Sequence, residues 1–318
     1  MNGAMFTRRA ALAGLTAAAA TPVLAKAPMT GVRRPQAYTA KLGAFEVSTI
    51  FDGAVQFPGP HPIFGQDKTK EEVDALLVEN FLPTDTIEIG FTPVIVNTGN
   101  EVVLFDTGNG ALRRGKGAGL MRERLGVIGI TPEQVDVIVL THFHPDHIGG
   151  LMEDGQPAYP NARYVTMAAE YDFWSPEDKL TGGTERVAKL TQSNVVPMAE
   201  KMTFLTPDQD VVSGITAIDA SGHTPGHAAI HIESEGKRLL LGADFCNHYV
   251  VSMQRPDWHV RFDMDKAKAG ETRKRLFDMI AADRIPFAGY HMPFPSIGYA
   301  EKLGEGYRFV PASYQLNL

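Results

Sequence analysis

The chain predicts an α/β protein, an αββα sandwich in which two sheets face each other and helices cover their outer sides. Two observations carry this. Segments of strand length, apolar or alternating, are interleaved with segments of helical spacing from residue 38 onward. Side chains with metal-binding chemistry crowd at the end of one strand-like segment, in residues 142–147 directly after 135–140, as a site along one edge of a sandwich requires. Residues 28–318 read as one domain, although a length prior of about 150 residues per domain would allow two. No internal repeat or low-complexity tract interrupts them.

Taken in order, residues 38–57 alternate apolar and polar as a hairpin turning near Leu42-Gly43. Residues 58–70, rich in proline and glycine, read as a surface loop, and 71–81 have helical spacing. Residues 91–106 predict a strand pair turning at Gly99-Asn100. Residues 108–119 form a glycine-rich basic loop with Arg113, Arg114 and Lys116. Thr131 caps a short helical turn with Pro132 at its first position. Residues 135–140 are apolar and β-branched, a buried strand. A strand at 162–166 runs into a helix at 167–174, and further helices are expected at 185–195 and 266–282. Strands follow at 211–219, 228–233, 238–244 and 285–291.

The N-terminus reads as a targeting segment. Thr7-Arg8-Arg9 precedes a weakly apolar, alanine-rich run, and Ala25-Lys26-Ala27 offers a small-x-small cleavage site. Adjacent arginines with a mild apolar core resemble a twin-arginine export signal over residues 1–27, which implies a periplasmic location. An alanine-rich structural helix is the alternative, weakened by Pro22. No apolar run is long enough for a permanent membrane span. Removing residues 1–27, which hold Arg8, Arg9 and Lys26 and no acid, takes the formal charge from −7 to −10. So acidic a chain suits phosphate backbones poorly, and nucleic acid is not an expected partner. The sole Cys246 excludes an internal disulfide and reads as a small buried residue.

Directly after the 135–140 strand comes His142-Phe143-His144-Pro145-Asp146-His147. Imidazole and carboxylate suit zinc and its neighbours. Four such ligands are too many for one metal that must keep a position open, so the run points to two. A polar loop with a chance concentration of histidine is the bland alternative. The chain has only ten histidines, and three fall in this run.

The run resembles the His-x-His-x-Asp-His signature of the metallo-β-lactamase superfamily, and further motifs follow in that superfamily's order. Ser221-Gly222-His223-Thr224-Pro225-Gly226-His227 looks like its third-histidine loop, residues 238–244 deliver an aspartate, and 285–291 end in a histidine. Upstream, Val102 to Gly108 resembles the motif whose aspartate, here Asp106, supports the metal loop without binding metal. The resemblance implies one metal on His142, His144 and His223 and another on Asp146, His147 and His291, with Asp244 bridging. Zinc is expected, with manganese, cobalt or iron suiting the same ligands. Such a pair shares a water and lowers its pKa toward ~7 for attack on a carbonyl or phosphorus centre. Asp146 is then a candidate proton shuttle as well as a ligand. His227 is structural in the family. His61, His231, His248 and His259 lie outside the motifs and read as ordinary side chains. Some β-lactamases of the superfamily carry cysteine where Asp244 stands, so the aspartate argues against those subclasses.

The segments 291–298 and 306–311, with Asp52-Gly53, Asp172-Phe173-Trp174 and Arg261-Phe262-Asp263, look similar to the methyl parathion hydrolases. That implies a dinuclear hydrolase, a homodimer, and Trp174 as a wall of the leaving-group pocket. A core tryptophan ending an amphipathic helix is the other reading of Trp174. The phenylalanines that line the phosphotriesterase pocket are missing here, from the 112–116 loop and from residues 181–196. Relatives so arranged resemble quorum-quenching lactonases. Hydrolysis of a lactone or ester, such as an acyl-homoserine lactone, is therefore expected first and organophosphate triester hydrolysis second. A persulfide dioxygenase, a glyoxalase-type thioesterase, a β-lactamase and a non-catalytic metal binder are the remaining alternatives.

Overall fold

Two seven-stranded sheets pack face to face in the computed structural model of the chain, which describes residues 27, 29, 31, 33–312 and 316–318. Apart from residue 27, the expected export segment lies outside the described residues. Residues 35–318 form one compact unit.

The first sheet runs Ala37–Leu42, Phe45–Ile50, Val94–Asn97, Val102–Phe105, Val137–Leu140, Arg163–Met167, Met202–Leu205. Its first four strands are antiparallel, and each later neighbour is parallel to the one before. The second runs Asp210–Val212, Ile215–Asp219, Ala228–Ser234, Lys237–Ala243, Phe287–Gly289, Ile297–Leu303, Gly306–Pro311. Only its pairing of Lys237–Ala243 with Phe287–Gly289 is parallel. Parallel neighbours need long crossovers. Helices Ala168–Trp174 and Glu185–Asn194 supply one, and the helix Lys266–Asp283 another.

Strand Val137–Leu140 shows why the layers stack as they do. All four residues are buried, with side chains pointing alternately to opposite faces. Val137 and Val139 face the second sheet, against residues such as Ile230 and Leu241. Ile138 and Leu140 face the helices, with Phe143, Ile148 and Trp174. On the far side, Leu240 and Phe287 meet Leu276, Phe277 and Ile280 of the long helix. The layers are thus α, β, β, α, as the strand and helix pattern predicts.

The structure departs from the sequence reading at several boundaries. Residues 38–57 are not one hairpin: Phe45–Ile50 ends the first, and Gly53–Pro58 leaves the sheet to pair with Thr86–Phe91. Asp52 sits at the break, fully buried, accepting from the Asn109, Gly119 and Met121 amides and from Asn109 Nδ2. Phe91 belongs to that outer hairpin, so the strand pair begins at Val94. The 71–81 helix is Lys70–Glu79, set by a capping box between Thr69 and Glu72. Residues 211–219 split into two strands at Gly214, whose φ of +81° few other residues adopt. Of 285–291 only Phe287–Gly289 is strand. Among the described residues no helix is long and apolar enough to cross a membrane.

Ile138 lies at the centre of this stack with no exposed surface. Ile138→Ala is expected to destabilise the fold by about 2–5 kcal/mol, read from the denaturant midpoint. A loss well under 1 kcal/mol would contradict the packing described.

Candidate metal centre

The strand Val137–Leu140 delivers the ligand run to the sheet edge. Thr141 begins the loop, His144 is still extended, and Pro145 opens the short helix Pro145–Ile148 that carries Asp146 and His147. The turn is pressed against the Asp106 loop. Thr107 donates to the His147 carbonyl from its amide (2.7 Å) and its hydroxyl (2.9 Å). A Cβ at Gly150 would lie 2.1 Å from the Thr107 carbonyl oxygen, so only glycine permits this approach.

The seven expected ligands come together in two sets, His142, His144, His223 with Asp244, and Asp146, His147, His291 with Asp244. Within each set the ligand atoms lie within 4.8 Å of one another. His144 Nδ1 is 3.1 Å from His142 Nε2 and 2.8 Å from His223 Nε2. Asp244 Oδ1 is 3.3 Å from His147 Nε2, and its Oδ2 is 3.1 Å from His291 Nε2 and 3.3 Å from His223 Nε2. Asp146 Oδ2 lies 3.5 Å from His147 Nε2 and 3.6 Å from His291 Nε2.

Proton bookkeeping shows what these nitrogens face. His291 Nδ1 lies 2.8 Å from the Gly90 carbonyl, which only accepts, so it carries the proton. His147 Nδ1 donates to Asp106 Oδ2 (2.8 Å) and His223 Nδ1 to Asp263 Oδ1 (2.8 Å). The Thr141 hydroxyl gives its proton to Asp106 (2.8 Å) and so accepts from His142 Nδ1 (3.2 Å). Four rings thereby have an outer partner for Nδ1 and turn Nε2 inward as a lone pair. Partners behind the ligands are the usual support of a metal site. Among the described residues, His147 Nε2 and Asp244 Oδ1 are buried with no hydrogen-bond partner. Converging lone pairs and orphaned buried acceptors have one natural occupant, a cation, and the donor set fits two divalent ions.

The electrostatics agree. Burial, ahead of the neighbouring imidazoles, holds His142 well below the ordinary histidine range and His144 at about 3. Burial alone would likewise discharge His147, but Asp106, Asp244 and Asp146 overcome it and raise it well above that range. Burial opposes the charge of Asp146 most strongly, yet His147 and His291 bring its carboxyl to about 2. The carboxylates around His147 thus favour positive charge at this point, as a cation site requires.

Several residues of this apparatus escape a reading by motif. Glu170 is fully buried and accepts from Phe143, Trp174, Thr224 and Gly226. Asp263 is backed by Arg273, itself buried, whose other nitrogens donate to the Phe245 and Pro256 carbonyls. Tyr290 stacks on His147 with centroids 4.0 Å apart and donates to the Asp146 carbonyl (2.6 Å). Asn247 donates to Asp244 Oδ2 (3.0 Å). The local signals are faint: an acid in the first turn of an apolar helix for Glu170, and a polar residue three past a ligand for Asn247. Asp263, 40 positions from His223, falls in the Arg261-Phe262-Asp263 segment, which assigns it no role, and for Arg273, 50 positions away, there is no signal.

The other expectations fall as follows. Trp174 is 2 % exposed, packs in the core and gives its indole N–H to Glu170, its ring 6.4 Å from that of His144. It supports the ligand loop from behind and presents almost no surface to a ligand. Of the basic loop, Arg114 is paired with Glu153 at the surface (2.5 and 2.9 Å). His227 donates to the Ala220 carbonyl and accepts from the Asp244 amide, holding that strand end. His248 is buried and accepts from the Val250 and Val251 amides. His61, His231, His248 and His259 are in neither ligand set. Cys246 is buried and its thiol is pushed by burial up to about 12.

Residues 90–286 match the family described as the metallo-beta-lactamase superfamily. An N-acyl homoserine lactonase of Bacillus sp is 27% identical over 211 residues, 62% of this chain and 76% of that enzyme. The N-acyl homoserine lactonase AttM of Rhizobium radiobacter is 26% identical over 129 residues, 38% of this chain and 45% of that enzyme. The chain thus spans less than half of this second relative. Among solved structures, hydrolase AbOPH of the beta lactamase superfamily superposes with a TM-score of 0.81 at 26% identity, over 89% of this chain and 100% of that one. AidC, described as a dizinc quorum-quenching lactonase, superposes with a TM-score of 0.78 at 24% identity, over 88% and 98%. The latter likeness speaks to fold.

Elemental analysis is expected to give two divalent metals per chain, and His142→Ala fewer than two with the circular dichroism of the fold retained. A His142→Ala chain that still held two would refute the ligand assignment. Histidine ligands bind metal only when unprotonated, so apparent affinity should rise with pH near neutrality. Affinity that is flat from pH 6 to 8 would contradict this.

Proposed function

This chain belongs to the metallo-beta-lactamase superfamily, and from that premise we propose that it is a dizinc lactone hydrolase acting on N-acyl homoserine lactones or closely similar esters. That it is a metal-dependent hydrolase rests on the family and on the paired ligand sets. The single observation that carries the two-metal reading is Asp244, shared between a three-histidine set and an Asp146–His147–His291 set. Zinc is the proposed metal because imidazole and carboxylate are its usual ligands outside thiolate sites.

Two such ions, when bound, polarise an ester carbonyl and make hydroxide available near pH 7. The chain's own part is orientation and proton transfer. Asp146 has a side chain 20% exposed, against 6% or less for His142, His147, His223, Asp244 and His291. It is the carboxylate among the ligands that an incoming substrate meets. Kept ionised, Asp146 accepts a proton from the attacking water and returns it to the alkoxide oxygen released when the ring C–O bond breaks. The products are a hydroxy acid and nothing else, so one carboxylate serves both transfers.

The lactone is preferred over the phosphotriester on two grounds. Relatives named for their substrate are N-acyl homoserine lactonases. Trp174, the aromatic expected to wall a nitrophenyl leaving group, is committed to the core through Glu170. Twin-arginine export to the periplasm and a homodimer belong to the proposal as expectations of the sequence. Recovery of unprocessed chain from the cytoplasm, or a monomer by light scattering, would remove them without touching the chemistry.

The deciding measurement is kcat/KM of the zinc-loaded chain on a long-chain N-acyl homoserine lactone and on a dimethyl aryl phosphotriester in one buffer. A clear preference for the lactone is expected. Preference for the triester would overturn the substrate assignment and leave the metal centre standing. Asp146→Asn should lower kcat on the lactone by roughly 10²-fold or more.

A further inference from the structure

We infer that Glu170 is a positioning residue that fixes the three-histidine half of the centre by tying its two ligand-bearing loops to one buried carboxylate. Glu170 stands in the helix Ala168–Trp174, outside the ligand motifs and two residues before the Asp172-Phe173-Trp174 segment, with no exposed surface. Its Oε1 accepts from the Phe143 amide at 2.9 Å, between the ligands His142 and His144. Its Oε2 accepts from the Thr224 hydroxyl at 2.7 Å and the Gly226 amide at 2.9 Å, in the loop that carries His223. The Trp174 indole completes the set on Oε1 at 2.8 Å. All four donors are neutral, and among the described residues no cation pairs with the carboxylate, so these bonds define its position.

The close approach is built into the loop. A Cβ on Gly226 would lie 2.1 Å from the Glu170 amide nitrogen, so glycine is required for the His223 loop to reach the helix. His144 Nδ1 keeps its 3.1 Å from His142 Nε2 and its 2.8 Å from His223 Nε2 only while both loops stay docked. Nothing equivalent links Glu170 to the second set. Asp146 is backed by Tyr290, His147 by Asp106 and His291 by Gly90. Loss of Glu170 therefore acts on one metal and spares the other.

Glu170→Gln is the discriminating change. Its amide keeps one acceptor and turns an NH₂ toward the other pair of donors. The Thr224 hydroxyl is able to rotate and accept, but a backbone amide is not. Whichever way the amide is placed, the Phe143 or the Gly226 N–H loses its partner.

The inference rests on the two-metal reading, and zinc titration of the unaltered chain against a chromophoric chelator tests that reading first. Two ions are expected; one or none would overturn the site assignment and the inference with it. Given two, zinc affinity is compared for Glu170→Gln in two backgrounds. With His291→Ala disabling the second set, Glu170→Gln should weaken the remaining site by about tenfold or more. With His223→Ala disabling the first, it should leave the remaining site unchanged. Equal losses in both backgrounds would mean that Glu170 acts through general stability, and no loss in either would mean that it holds nothing. Both would overturn the inference while the two-metal reading stood. Thr224→Val removes a single donor and supports the same comparison should Glu170→Gln fail to fold.

Discussion

Five imidazoles and two carboxylates must converge at one buried edge with their lone pairs turned inward, and the surrounding structure follows from that demand. An imidazole presents an inward lone pair only if its other nitrogen has somewhere to put its proton. Four outer partners meet this need, and they come from separate parts of the chain. Asp106 lies after the strand Val102–Phe105, Thr141 after Val137–Leu140, Gly90 in the outer hairpin, and Asp263 just before the long helix. The sandwich is what brings these distant segments to one place.

Burying so many charges is costly unless each is paired or hydrogen-bonded. The two supporting carboxylates solve this differently. Asp263 is paired with the buried guanidinium of Arg273, whose remaining nitrogens are met by backbone carbonyls, and its carboxyl stays below the usual range against the effect of burial. Asp106 has hydrogen bonds from Thr141 and from His147, and burial raises it above the usual range. His147 is raised as well, so one proton is held tightly between the two. The first arrangement is charge-balanced without metal. The second is completed by a cation on the inward side of His147, where Nε2 presents its lone pair.

How much of this was legible in the sequence depends on distance along the chain. The ligand run, the aspartate at the end of residues 238–244 and the histidine at 291 stand at the ends of apolar segments, and strand periodicity places them at one edge. The layer order follows from segments such as 137–140, apolar at every position and hence buried on both faces. The outer hairpin was missed because the alternation of residues 45–58 runs unbroken through Asp52. Only in three dimensions is that aspartate seen to hold Asn109, Gly119 and Met121 and so to divert the strand. Arg273 looks like any basic residue on a helix surface until the fold buries it. Trp174 was equally compatible with a pocket wall and with the core. Its partner four residues earlier, Glu170, decides the matter, since a buried carboxylate needs its indole N–H.

The outer hairpin shows why the parts that support such a site are harder to read than its metals. Gly53–Pro58 and Thr86–Phe91 pack with the helix Lys70–Glu79 and with Tyr290 in an apolar cluster of their own, apart from the sandwich core. Through the Gly90 carbonyl the same hairpin orients His291, and through Tyr290 that cluster reaches the Asp146 backbone. The hairpin thus holds His291 in place, and Tyr290 of the same cluster holds Asp146. Metal ligands are constrained by coordination chemistry to a few residue types, which makes them visible. The hairpin is constrained only to be apolar inside and to offer one carbonyl at the right point, which many sequences satisfy. The support of the ligands is thus written in a part of the chain whose composition says little, and the chemistry in a part whose composition says nearly everything.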